Sequence, residues 1–238
     1  MIAKAKIALA ALGVALSAGA LPAAADPFTV TAWAPAGSGR VHVTKTNAPT
    51  TTYNGYGGGF IMNPLPNGSG ASFISWCIDI FQVIPGSTGG NYTVNLGGTN
   101  LSATTRNDLG RLATLALGAA TATGPNSGNL AAAFQLAIWE ILYNTTGSWS
   151  LGTGNFQALL PNTNLSAYNQ ANAWLNTLST NPGLTSSYTV NTYTSGTYQD
   201  QVTFTNVPEP ATLGLMGIGL IGLAFARRRN SKDAGRNA

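Results

Sequence analysis

The sequence predicts an α+β fold, a β-rich sandwich or barrel-like domain with an inserted helical subdomain, bracketed by an N-terminal signal helix and a C-terminal transmembrane helix. Three observations predict it. Strand patterns occupy the chain up to Leu96 and again from Tyr188, three stretches with apolar residues at helical spacing lie between them, and an apolar run stands near each terminus.

The elements follow in order. Phe28 to Trp33 alternates Thr29 and Thr31 with apolar neighbours, and Arg40 to Thr44 alternates around Val41 and Val43, so each predicts a strand. Gly57-Gly58-Gly59 and Asn67-Gly68 read as turns. Phe73 to Val83, rich in isoleucine and aromatics, is the strongest strand, and a turn cluster from Pro85 to Asn91 leads into Tyr92 to Leu96. Helices are predicted over Thr104 to Leu117, Asn129 to Tyr143 and Leu165 to Leu178, the last with Ser166 as its N-cap. Tyr188 to Thr194 and Tyr198 to Thr205 form a hairpin around Ser195-Gly196. No internal repeat is evident.

Composition removes several functions. Hydrophobic residues make up 44% of the 238 and charged ones only 8%, so the chain can bury a core and is not of the disordered type. Its formal charge of +4 invites a nucleic-acid reading that the distribution refuses. Between Asp26 and Val207 four cations (Arg40, Lys45, Arg106, Arg111) face five anions (Asp26, Asp79, Asp108, Glu140, Asp200), a net of −1. A phosphate-binding surface needs basic side chains gathered on the folded domain, so nucleic acid is excluded as a partner. One histidine, one cysteine and scattered acids offer no metal-ligand spacing, and no glycine-rich loop joins a strand to a helix in phosphate-binding form. No cofactor is expected.

The ends read as addresses, giving a signal peptide at 1–25, an ectodomain at 26–206 and a tail at 207–232. Lys4 and Lys6 precede the apolar stretch Ile7 to Leu16, and Ala23 and Ala25 place small side chains at the two positions a signal peptidase checks. In the tail, Val207-Pro208-Glu209-Pro210 holds an extended approach, Ala211 to Ala226 is apolar, and Arg227-Arg228-Arg229 stays cytoplasmic by the positive-inside rule. The chain is therefore expected to be exported and held in the membrane by its C-terminal helix before processing. This tail resembles the PEP-CTERM sorting signal of Gram-negative bacteria. The resemblance implies recognition and removal of the tail by exosortase, a producer that makes exopolysaccharide, and display at the cell surface or in the biofilm matrix.

Cys77 is the sole cysteine, so no disulfide within the chain is open to it. It is then buried and inert, paired with another molecule, or chemically engaged. On a strand it shares a face with Phe73, Ser75, Asp79 and Phe81, opposite Ile74, Trp76, Ile78 and Ile80. On the central helix Gln135 falls inside the apolar sector beside Ile138, Trp139 and Leu142, while Glu140 points the other way. An unpaired buried amide costs about 1–3 kcal/mol, so Gln135 is expected either to find a good partner or to have lost its amide.

Trp76-Cys77-Ile78-Asp79 on a strand and Phe134-Gln135-Leu136-Ala137-Ile138-Trp139 on a helix together resemble the thioester domains of Gram-positive surface adhesins. Those carry a threonine where this chain has Phe134. The resemblance implies a cross-link between the Cys77 sulfur and the Gln135 side-chain carbonyl, with Trp76, Asp79, Phe134 and Trp139 forming its pocket. It implies a covalent adhesin for an amine- or hydroxyl-bearing surface ligand or exopolysaccharide, a binding device and not an enzyme. Two alternatives stand beside it: a structural component of the exopolysaccharide matrix with a plain buried thiol, and a cysteine hydrolase with Cys77 as nucleophile, His42 as base and Asp79 or Asn47 orienting it.

Overall fold

The computed structural model describes residues 25–64, 71–86, 89–145 and 147–207. The signal segment up to residue 24, the Asn67-Gly68 turn, and the tail from Pro208 through the span and arginine cluster lie outside the described residues. Among those described, no helix is long and apolar enough to cross a membrane.

Among the described residues seven strands and three α-helices follow one another as β1 (Ala25–Lys45), β2 (Thr51–Pro64), β3 (Phe73–Cys77), β4 (Gly90–Asn95), α1 (Ala103–Thr121), α2 (Ser127–Tyr143), β5 (Phe156–Ala158), α3 (Leu165–Thr180), β6 (Tyr188–Thr194) and β7 (Gln201–Asn206). The described pairings are antiparallel and run β2-β3-β7-β6-β4-β1-β5, and β1 also pairs with β2. That last pairing closes six strands into a barrel and leaves β5 as a short extension on β1. Closure removes the unpaired edges that an open sheet would expose. The barrel with three helices between its fourth and sixth strands agrees with the α+β expectation.

The two separate strands expected near the N-terminus are one. β1 pairs with β2 from Phe28↔Pro64 to Lys45↔Thr51, with register shifts between Val30 and Ala32 and between Trp33 and Ser38. Val41 and Val43 turn into the core while Arg40, His42 and Thr44 face away. β2 was not expected at all, because Gly57-Gly58-Gly59 reads as a turn. These glycines sit mid-strand because nothing larger fits. A Cβ on Gly58 would lie 2.6 Å from the Gly37 carbonyl oxygen, and one on Gly59 would lie 3.0 Å from Ile74 and 3.2 Å from Trp76.

The helix α2 is the axis of the core, buried without interruption from Ala131 to Ile141. A helix apolar on every side has no solvent face. Its N-terminal half crosses β1 closely. A Cβ on Gly39 would meet Ala132 Cβ at 2.9 Å, and one on Gly128 would lie 2.5 Å from the Ser38 oxygen. The flanking helices are pinned at their ends. Ser102 Oγ accepts from Thr105 N at 3.0 Å. Asn164, not the expected Ser166, caps α3, its side chain accepting from Ala167 N at 3.1 Å. Arg111 on α1 is buried, pairs with Asp108 at 2.9 Å and donates to the Leu178, Asn181 and Leu184 carbonyls, so a cation satisfies the open C-terminal end of α3.

The expected strand Phe73 to Val83 stops at Cys77. Beyond it, side chains replace a ladder partner: Asp79 Oδ1 accepts from Phe81 N at 2.7 Å, and the Tyr143 hydroxyl bonds Ile78 O and Ile80 N.

Close packing at the glycines predicts a contrast that chemical denaturation would measure. Gly128→Ala is expected to destabilise by about 1–3 kcal/mol through overpacking against β1. Gly118→Ala, in the interior of α1 with nothing within 4 Å of the new methyl, is expected to stabilise by about 0.5–1 kcal/mol. Equal effects at the two positions would contradict the packing described.

Candidate functional site: the cysteine–glutamine floor of a cavity

Cys77 ends β3, where the strand pairs with β7 through Trp76↔Val202 and Cys77↔Gln201. Gln135 projects toward it from α2. Its amide closes on the backbone of Cys77 at both points: Cys77 N donates to Gln135 Oε1 at 3.0 Å, and Gln135 Nε2 donates to Cys77 O at 2.7 Å. The buried amide therefore has its partners, and the two residues singled out by sequence, 58 positions apart, meet.

The sulfur itself faces β7. The Cys77 thiol donates to Gln199 Oε1, and Gln201 Nε2 donates to the sulfur at 3.6 Å. Both glutamines are held in turn. Gln199 Nε2 donates to Asp79 O, and Gln201 Oε1 accepts from Ser75 Oγ at 3.0 Å. Burial pushes the Cys77 thiol up to about 12, an effect that Gln201 opposes and Asp79 reinforces, so the group is a neutral thiol at neutral pH.

Above Cys77 and Gln135 opens a cavity of about 330 Å³. Aromatic walls come from Tyr53, Tyr56, Phe60 and Trp139, with the lip formed by residues 80–84 and Gln199 completing the floor. Among the described residues no charged side chain lines it. Tyr53 and Trp139 meet edge-on, ring centres 6.2 Å apart.

The pocket residues expected from sequence divide. Trp139 lines this cavity. Trp76 and Phe134 do not; they pack on each other at 4.7 Å, and Phe134 also meets Phe204 and Trp174. The reason is the pleat: Trp76 leaves the strand on the face opposite Cys77. Asp79 turns its carboxylate back onto Phe81 N. His42 stands on the outward side of β1, its ring against Asn162 at 3.3 Å and its backbone N and O both bonded to Thr163 Oγ1. The polar partners of the Cys77 sulfur are thus two amides, not an imidazole, which deprives the hydrolase alternative of its base. Among the described residues no cluster of His, Cys, Asp or Glu is placed to hold a metal ion.

Gln199, Gln201 and Tyr53 were not singled out from sequence. The Gln-x-Gln spacing at 199 and 201 was the available signal, since alternate positions on a strand share a face. Glu140 also departs from expectation. It is fully buried, accepting from Asn144 Nδ2 and Ser150 N, both at 2.8 Å, and so staples the segment after α2 to the helix. Desolvation raises its carboxyl from 4.5 to about 7 against the pull of those donors.

In class, this is a helix-backed antiparallel barrel with a cavity floored by a buried cysteine and two glutamines, Gln135 and Gln199. Its address comes from the tail: residues 206–229 match the PEP-CTERM protein-sorting motif. The match supports an exported, exosortase-sorted surface protein made as a membrane-anchored precursor. Neither the curated proteins nor the solved structures contain a match to the chain.

Two measurements test the site's energetics. Gln135→Leu leaves the Cys77 N–H and carbonyl unpaired in the core and is expected to lower stability by at least about 2 kcal/mol in urea titration. Glu140 binds its proton more tightly folded than unfolded, so it contributes stability that is complete below about 4.5 and lost as pH rises through about 7. The melting temperature is expected to fall over that window, and Glu140→Gln to flatten the fall; an unchanged slope would refute the assignment.

Proposed function

We propose that the chain is a surface-displayed binding module whose Cys77 and Gln135 join in an internal thioester, ready to be transferred to a ligand in the cavity above them. The observation that carries this reading is the two-point seating of the Gln135 carboxamide on Cys77. Cys77 N–H already donates to Gln135 Oε1, the atom on which negative charge develops when the Gln135 carbonyl carbon is attacked. In the step, the sulfur bonds to that carbon, the carbon–nitrogen bond breaks, the thiol proton passes to nitrogen and ammonia leaves. The sulfur must first turn from Gln199 Oε1, a side-chain rotation within a pocket where proximity replaces an external catalyst. The surrounding aromatic walls exclude the water that would hydrolyse the product. A nucleophile on the ligand then attacks the carbonyl, forming an ester or amide and returning the thiol.

One observation favours a second reading, a matrix component with a plain structural thiol: the sulfur is bonded to Gln199 and Gln201 and its proton is held tightly. Intact mass of the purified exported protein separates the two. The covalent module is expected to weigh one ammonia less than its sequence, a deficit absent in Cys77→Ala and in Gln135→Glu. A full-mass chain whose thiol alkylates as soon as it is unfolded leaves only the structural thiol.

A further inference from the structure

We infer that two glutamines govern the Cys77 sulfur with opposite sign: Gln199 keeps the proton on it and its bond turned from Gln135, while Gln201 supplies the hydrogen bond that supports it once it carries charge. The inference rests on the thioester reading of the same site and assigns its control.

The orientation of each amide follows from its other partners. A backbone carbonyl only accepts, so the Asp79 carbonyl takes the amino group of Gln199 and leaves Gln199 Oε1 to face the sulfur. The Gln199 backbone is itself fixed, its N donating to Val83 O at 2.9 Å and its O accepting from the Tyr92 hydroxyl at 3.2 Å. That same Gln199 carbonyl accepts from Gln201 Nε2 at 3.3 Å, which sets the second amide the other way round. Gln201 Nε2 lies 3.6 Å from the sulfur, and Gln201 Oε1 accepts from Ser75 Oγ at 3.0 Å. One amide therefore presents the sulfur with an acceptor and the other with a donor.

An acceptor bonds a thiol and repels a thiolate; a donor favours the thiolate. As the thioester forms, the carbon–sulfur bond is made and the thiol proton goes to the departing nitrogen, so the bond to Gln199 has to break. In transfer, the ligand's nucleophile bonds to the carbonyl carbon, the carbon–sulfur bond breaks, and the sulfur leaves with the electron pair before taking up the nucleophile's proton. Support for that charge is scarce nearby. The titratable groups that act on the sulfur are Asp79 after β3, Tyr53 on β2, Tyr92 on β4 and Tyr143 on α2, all acids. Asp200, just before β7, turns its carboxylate to Ser195 N. The Lys45 ammonium, over Phe81 and Tyr143, is held by the carbonyls of Asn47, Ala48 and Pro49. Burial strengthens the thiol's hold on its proton, and Gln201 is the neighbour that weakens it.

Alkylation of the folded, full exported chain by iodoacetamide at neutral pH, followed by intact mass, tests the inference. Every protein in the series carries Gln135→Glu, which has no ammonia to lose and leaves the thiol free. Relative to that background, Gln199→Met is expected to speed alkylation about tenfold and Gln201→Met to slow it about tenfold, because the thiolate is the nucleophile. Each substitution deletes buried hydrogen bonds, so loosening of the fold alone would speed both. A rate that is unchanged or rises with Gln201→Met, or is unchanged or falls with Gln199→Met, overturns the inference. Should either variant fail to fold, Gln199→Asn or Gln201→Asn, which draws the amide back by one methylene, carries the same expected sign. The outcome is independent of the covalent step, whose own failure shows only in the intact mass of the chain that retains Gln135.

Discussion

The hydrogen-bonded seat of the Gln135 amide on the Cys77 peptide is the constraint around which the rest is arranged. It joins the central helix to the third barrel strand at two points, both buried, with neither group able to turn to water instead. Two turns along the same helix face, Tyr143 repeats the device on Ile78 and Ile80. From the other side the residues just before β7 contribute Asp200, whose carbonyl accepts from Ile78 N, and Gln199, which donates to Val83 O through its backbone and to Asp79 O through its side chain. The segment after Cys77 is thus fixed by side chains on both flanks, and it can leave the sheet without orphaning its backbone. That departure is what opens the cavity.

Glycine makes the arrangement possible. Where α2 crosses β1 and β2, the helix supplies Gly128 and a run of alanines and the strands supply Gly39 and Gly57. A Cβ at Gly57 would press on the stem of Gln135 itself at 3.4 Å. Close backbone approach brings a side chain as short as glutamine within reach of a neighbouring strand. Small residues therefore set the depth at which the polar pair can meet, and bulk is confined to the aromatic walls around it.

Much of this was legible in the residues and some was not, for identifiable reasons. The three helices declared themselves because leucine, isoleucine and alanine recur at three and four, and the Tyr188 to Thr205 hairpin because its alternation brackets a turn. Cys77 and Gln135 stood out as a lone thiol and as an amide in an apolar sector. β2 was hidden because its glycines answer to neighbours on β1, β3 and α2 that lie far off in sequence, which local pattern does not register. β5 is three residues long and exists only as a partner for the end of β1. The burial of Glu140 was not legible because the helix wheel shows which side a residue faces, not that the chain folds back over that side through Asn144 and Ser150. Trp76 and Phe134 were expected over the sulfur, but the pleat sends Trp76 to the opposite face of β3, where Phe134 packs on it.

The strand that touches the sulfur is also the one by which the chain leaves the barrel. β7 begins at Gln201, opposite Cys77, and runs to Asn206, and Val207 is still tied to Ser187 when the sorting motif starts. The sorting motif thus begins on the last residue of the strand. A tension applied at that end runs along β7 and is borne sideways by its whole ladder with β6 at once, since antiparallel hydrogen bonds lie across the strand direction. Gln201, at the other end of that ladder, donates to the Cys77 sulfur, so a slip of β7 and the hydrogen bonding of the buried thiol are coupled through a single strand.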